Sequence, residues 1–297
     1  MADFPESTPE PSEPSPRPHR HELFNGSDYD LSLVSKDNII FNVPSSTLRR
    51  SSNFFRSVFL LPQEAQRHSD PIKLFLDDDA WVVEAALRMV NGMPIQMEHF
   101  KSFDSLEPIL HFCEKYDMHG PMSIIQLGMT RPELISNPFR LYTLACRYGW
   151  KEEITIAVNH ALDHDITDPA SVTRFGAIDF LDYAKLLSLV HRRRTQFERR
   201  LNDPVVFCGS NPTHTCRTCQ QRVDDLTWLV MKSRLLRELE KHPSGRTICC
   251  ESGDGFMQWP ETTKAMTAQH CTRLLYSPEH TRNAVLDALK DLPTNLE

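Results

Sequence analysis

The densest chemistry in the chain is Cys208-x5-His214-x-Cys216-x2-Cys219, four thiol or imidazole side chains within 12 residues. Zinc takes four sulfur or nitrogen ligands in a tetrahedron, and a C-x2-C turn presents two thiolates to one ion. The spacing makes Cys208, His214, Cys216 and Cys219 a candidate zinc set. Cys249 or Cys250 are alternative partners for Cys216 and Cys219 if His214 points outward. A polar loop with free thiols is the other reading of the same residues. The 8 cysteines, with no apolar leader core, predict reduced thiols and an intracellular protein of cytoplasm or nucleus.

A second cluster is His191-Arg192-Arg193-Arg194 with Arg199 and Arg200. On one helix these side chains fan round several faces rather than forming a stripe, so the run reads as a solvated helix end. Docking of an acidic partner is the alternative, and phosphate binding a further one. His160 and His164 lie at i,i+4, a spacing that can hold a metal on one helix face, but an exposed helix end is the better reading. His111 and Cys113 fall in a predicted core helix. The chain has no G-x-S-x-G elbow, Walker loop, G-x-G-x-x-G or H-E-x-x-H, and only 10 glycines, which predicts a non-catalytic protein.

Charge narrows the partners. Net charge is −7 over 297 residues. Residues 1–130 hold 11 Lys/Arg against 19 Asp/Glu, and residues 131–297 hold 22 against 21. An acidic first part disfavours nucleic acid and leaves protein as the expected partner. No run approaches the ~20 apolar residues of a membrane span.

The elements that carry these clusters begin with a Pro-rich stretch, 1–21, holding 6 prolines and read as a disordered tail. From Asp28 the pattern changes. Leu31 and Leu33 alternate with Ser32, Asp37-Asn38 supplies turn chemistry, and Ile39, Phe41 and Val43 alternate again, which predicts a hairpin over 28–43. Pro44 ends the second arm. Ser51 or Ser52 caps a helix over 53–60 carrying Phe54, Phe55, Val58 and Phe59. Ile72, Leu74 and Leu76 make a further strand. Asp77-Asp78-Asp79 starts a helix over 80–90, with Gly92 just past its end. The next helix, 106–117, places Pro108 in its first turn, and Gly120-Pro121 stops it. Phe54, Phe55, Leu87 and Leu110 are expected in the core.

Asp30-Leu31-Ser32-Leu33, Phe41-Asn42-Val43, Leu48, Ser51 and Phe54-Phe55, followed by IKLFLDDD, WVVEAALRMVNGMP and ILHFCEKYDM, resemble a BTB/POZ domain over residues 22–120. With NPFRLYTLACRYGWKEE following, the chain is similar to fungal BTB-containing proteins. The resemblance implies a small sheet flanked by helices and then an all-helical extension, an α+β but predominantly helical chain. It implies a protein-interaction adaptor or scaffold, often a homodimer, with Asp30, Phe41, Val43, Phe54 and Phe55 as the domain's signature. A substrate adaptor of a cullin-type ubiquitin ligase is one alternative it raises. A zinc-dependent regulatory protein, whose Cys/His tail binds nucleic acid or a partner, is the other alternative, raised by the cysteine cluster. The family's His and basic residue after F-x-V are Pro44 and Ser45 here. The charge partner expected opposite Asp30 is therefore missing, so Asp30 should face solvent or cap a turn, and any homodimer should be weak.

Beyond 120, residues 121–200 read as helical throughout. Asn137-Pro138 and Asp168-Pro169 are helix starts, Gly149 closes a helical hairpin, and a long helix runs over 177–200. In 201–297, a Pro/Cys/His connector over 204–220 leads to a helix over 223–241 with Leu226, Leu229, Val230 and Leu236 on its apolar side. A Gly/Cys loop over 245–260 and helices at 261–276 and 278–290 complete the chain.

Overall fold

The structure is a computed structural model that describes residues 19–61, 71–211, 213–249 and 255–296. The fold is α+β and predominantly helical, with one small mixed sheet of four strands. It divides into two units, Met1–Gly128 and Met129–Glu297.

In the first unit, strand β1 (His19–Arg20) runs parallel to β3 (Ile39–Val43), which pairs antiparallel with β2 (Leu31–Val34). Of the disordered tail expected over 1–21, residues 19 and 20 instead form strand β1, and residues 1–18 lie outside the described residues. The hairpin turns at Asn38, whose φ of 62° suits a residue that tolerates the left-handed region. Helices α1 (Ser45–Ser51) and α2 (Asn53–Val58) follow, with the Ser52 hydroxyl accepting from the Phe55 N–H. Strand β4 (Ile72–Phe75) returns parallel to β2, giving the order β1-β3-β2-β4. Helix α3 (Ala80–Val90) has its first N–H, on Ala80, capped by the Asp37 carboxylate at 2.9 Å rather than by the acidic triplet beside it. Asp78 instead binds Lys115 at 3.0 Å.

Helix α4 (Phe103–Lys115) begins earlier than expected, at the Ser102 cap, so Pro108 sits inside it and not in its first turn. Asp117, with φ 49°, breaks the chain direction, and α5 (His119–Gly128) then runs through Gly120 and Pro121. Those two residues do not stop a helix, because a proline in the first turn has no N–H to satisfy. Phe41, Val43, Phe55, Leu87 and Leu110 are buried as expected. Phe54 is not. It is 43% exposed, and only its edge meets Phe55, with ring centroids 5.3 Å apart. Consecutive helical residues point about 100° apart, so a Phe-Phe pair cannot send both rings into one core.

Asp30 finds its partner in the residue that replaced the expected cation. Its carboxylate accepts from the Ser45 N–H and the Ser45 hydroxyl, each at 2.5 Å, and so caps the start of α1. Partial burial opposes ionisation, but these two bonds and the nearby Arg49 outweigh it and hold the carboxyl below its ordinary range. Asp30→Ala should cost about 1 kcal/mol, the usual worth of a helix cap. A depressed folded-state pKa means that this contribution is present at neutral pH and is lost as pH falls below about 4. Urea melts of the wild type and the variant should therefore converge in acid and separate at pH 7.

The second unit opens with α6 (Pro132–Ile135) and the hairpin of α7 (Pro138–Tyr148) and α8 (Lys151–Ala161). Gly149 adopts φ 69° and lets the Trp150 N–H close on the Ala145 carbonyl at 2.9 Å. Helices α9 (Pro169–Phe175) and α10 (Phe180–Leu201) follow, the latter capped by Asp179. Then come α11 (Leu226–Lys241), α12 (Pro260–Thr267), a hairpin of β5 (Gln269–His270) and β6 (Arg273–Leu274), and α13 (Pro278–Leu289). The hairpin stands where helix was expected to continue to 276. On α11 the buried face is Trp228, Met231, Leu235 and Leu239, with Leu236, whereas Leu226, Leu229 and Val230 are exposed. The helix carries apolar residues on two faces, and the one holding Trp228 offers the larger area to bury. Phe207 of the connector stacks on Trp228 with centroids 4.8 Å apart, anchoring the residues that lead into the cysteine loop.

The arginine run is not a solvated helix end. Arg193 is 6% exposed and donates to the carbonyls of Pro243 at 2.8 Å and Pro293 at 2.5 Å, with Leu292 and Ser244 at 3.3 and 3.5 Å. Arg200 donates to the Ala288 and Lys290 carbonyls, and Arg192 to Asn295. Three of the run's cations thus bind the chain that follows α13.

Candidate metal centre

Cys216 and Cys219 sit in a tight loop closed by a bridge between Thr215 and Arg222. The Cys216 N–H donates to Gln221 O at 2.8 Å and the Gln220 N–H to Cys216 O at 2.8 Å, with Gln220 at φ 60°. The loop turns back on itself, so both thiols face one side. The backbone N–H groups of Cys219 and Thr218 point at the Cys216 sulfur and pull its pKa down to about 7. N–H groups aimed at a cysteine sulfur favour the thiolate, the form that ligates metal.

The other half of the site comes from the β5–β6 hairpin. Gln269 pairs with Leu274 and His270 with Arg273, leaving Cys271 and Thr272 as a two-residue turn. Both have positive φ, 50° and 62°, the conformation that joins two short antiparallel strands without splaying them. This turn carries His270 and Cys271 to the cysteine loop. The Cys219 sulfur lies 3.1 Å from His270 Nε2. One ligand atom from each of Cys216, Cys219, His270 and Cys271 lies within 4.8 Å of every other.

These four residues can hold a metal ion. A tetrahedral ion with ~2.3 Å bonds to sulfur needs its ligand atoms about 3.8 Å apart. The four atoms therefore close on an ion by shifts of at most about 1 Å, within the reach of side-chain rotation.

Of the set expected from sequence, the structure brings Cys216 and Cys219 into this group and leaves Cys208 and His214 outside it. Cys208 is exposed and starts a short turn of 3-10 helix ahead of the loop. His214 faces Asp225, with Nδ1 3.6 Å from its carboxylate, and that carboxylate also accepts from the Tyr276 hydroxyl at 2.8 Å. The alternative partner Cys249 is likewise outside the group, and Cys250 lies outside the described residues. The sequence signal that could have found His270 and Cys271 is their adjacency, a His-Cys pair at the C-terminal side of a short helix. It is weak because His270 lies 51 positions along the chain from Cys219.

The remaining candidates fare differently. His164 packs against Phe139, and burial with the nearby Arg174 lowers its pKa. Cys113 is buried and pushed up to about 12. Among the described residues, no helix is long and apolar enough to cross a membrane. No family model matches the chain, and no curated protein matches it.

Proposed function

We propose that the protein is a non-catalytic protein-interaction module of BTB/POZ type, an adaptor or scaffold, with a helical second unit that carries a structural zinc ion. The interaction reading is carried by apolar side chains left outside the first unit. Phe75 on the edge strand β4 is 78% exposed and Phe54 is 43% exposed. Exposed aromatic side chains, Phe75 on an edge strand that pairs on one side only among the described residues and Phe54 on α2, are what partner proteins bury. The element order of the first unit supports the same reading: a hairpin, two short helices, a strand of the same sheet and a helical pair follow the order of the BTB-like motifs. Burial pushes Cys146 up to about 11, so the thiol that lines a cavity of the second unit with Tyr142 and Asp182 is protonated at neutral pH and a poor nucleophile.

Ser45 supplies Asp30 with two hydrogen bonds in place of a partner's cation. Any homodimer of this chain is therefore weak and insensitive to salt. The metal is zinc because one imidazole and three thiolates suit that ion, and because four ligand atoms all within 4.8 Å of one another fit a single ion. A binuclear iron–sulfur cluster would hold opposite ligands farther apart.

Two measurements test this. Affinity capture from an extract of the source cells with the full chain should retain a protein that Phe54→Ala and Phe75→Ala together release. Capture that ignores both substitutions overturns the assignment of this surface. Elemental analysis of untagged protein should return one zinc per chain, and none overturns the metal.

A further inference from the structure

We propose that Cys271 is the oxidisable ligand of this centre, and that a hydroperoxide converts Cys271 and Cys219 to a disulfide and expels the metal, so that a single S–S bond replaces the metal between the β5–β6 hairpin and the cysteine loop and releases Cys216 and His270. This rests on the zinc reading above and adds to it how the site is opened.

Access distinguishes the four ligands. Cys271 is exposed, at the tip of the hairpin, while Cys216, Cys219 and His270 are partly covered. A cysteine that ligates a metal does so as the thiolate, and an exposed thiolate beside a second sulfur is the arrangement that peroxides oxidise first. The second sulfur is in place: Cys219 belongs to the same 4.8 Å group and its thiol is the leading hydrogen-bond partner of the Cys271 thiol, ahead of Cys216.

The hairpin is also poorly held without the centre. Each of its strands has two residues, and a two-stranded hairpin of that size has little stability of its own. Leu274 is exposed, so the tip contributes little to the core of the second unit. Among the described residues, the hydrogen bonds from the 213–223 loop to the 269–274 hairpin are those of the cluster itself, such as Cys219 to His270. Below the tip, Tyr276 is separately tied to Asp225 at 2.8 Å, so the rearrangement that follows loss of the metal is confined to the loop and the hairpin tip.

The chemistry balances as follows. The Cys271 thiolate attacks one peroxide oxygen; the S–O bond forms, the O–O bond breaks, and the departing hydroxide takes a proton to become water. The Cys219 thiolate then attacks the sulfenic sulfur; the S–S bond forms, the S–O bond breaks, and a second hydroxide leaves as water after protonation. The two sulfurs lose two electrons and hydrogen peroxide gains them. An ion left with Cys216 and His270 has lost two of its four ligands and dissociates. A thiol reductant reverses the disulfide and restores the site.

The test uses the full-length, zinc-loaded, reduced chain treated with hydrogen peroxide. Zinc release followed with a chromogenic chelator should run in step with a Cys219–Cys271 cross-linked peptide in the mass spectrum, and dithiothreitol with zinc should restore both. Cys271→His, which keeps four ligands but no thiol at the tip, should hold its metal ~10-fold longer under the same peroxide. Three results overturn the inference while leaving the zinc reading intact: metal kept through oxidation, metal lost while Cys271 still alkylates, or equal loss from Cys271→His. A reduced protein with no zinc overturns the metal reading instead. If Cys271→His fails to fold, the peptide map of the native chain decides by itself.

Discussion

Arg193→Met should destabilise the second unit by about 2–4 kcal/mol, the cost of leaving several buried carbonyls without the donor they share. The guanidinium is 6% exposed and reaches four backbone carbonyls, those of Pro243, Ser244, Leu292 and Pro293. A methionine fills much of the volume but donates nothing, so the carbonyls lose their donor inside the protein, at about 1–3 kcal/mol for each left unsatisfied. Burial lowers the Arg193 pKa, yet a guanidinium remains charged at any pH the fold survives. Arg193→Lys should fall between the two, because one ammonium cannot serve acceptors on two separate segments with the planar fork that arginine provides. Urea melts should read these differences directly. Proteolysis should show the chain after α13 released first, since Arg193 holds Leu292 and Pro293 while Arg200 holds Ala288 and Lys290. A loss under ~1 kcal/mol for Arg193→Met would mean that the carbonyls find water on substitution and that the clamp is not what orders this segment.

Phe55→Ala should cost about 3–5 kcal/mol, as for other large core truncations. Phe54→Ala, one residue away, should cost under ~1 kcal/mol. Phe55 is fully buried and stacks on Tyr116 with ring centroids 5.3 Å apart. It therefore joins α2 to the end of α4, and its removal leaves a cavity that those helices cannot close without moving. Phe54 touches Tyr116 only edge-on, at 5.3 Å, with much of its ring in solvent. Denaturant melts of the two single variants check the contrast. Equal losses would mean that both rings support the fold and that Phe54 is not free to serve a partner.

The two rings show how far the sequence reached. Phe-Phe after a capping serine marks a helix that must bury an aromatic side chain, and the chain does so. Which of the two enters the core depends on how α2 lies against α4, which the local pattern does not contain. The hairpin over 31–43, the helix over 80–90 and the turn at Gly149 were legible because alternation, 3.6-residue spacing and left-handed glycine are local properties. Asp30 shows the intermediate case. The absent cation was visible in the sequence, but that Ser45 itself completes the carboxylate required the geometry of the β3–α1 junction.

The cysteine site divides in the same way. Residue type and a two-residue spacer determined that Cys216 and Cys219 would present their sulfurs together, since a loop of four residues leaves little other choice. Cys208 and His214 were chosen with them on proximity along the chain alone. The tertiary structure decided otherwise: Phe207 is held on Trp228 and His214 turns to Asp225, while the hairpin after α12 delivers His270 and Cys271. A metal ligand is selected by distance in space, and a partner 51 positions away gives no periodic or compositional signal. The arginine run failed for the same reason, because its acceptors are backbone carbonyls, which every residue has and no sequence pattern marks. Local geometry could be read from the sequence, whereas contacts between distant segments, whether Cys/His cluster, clamp or core face, existed only once the helices were packed.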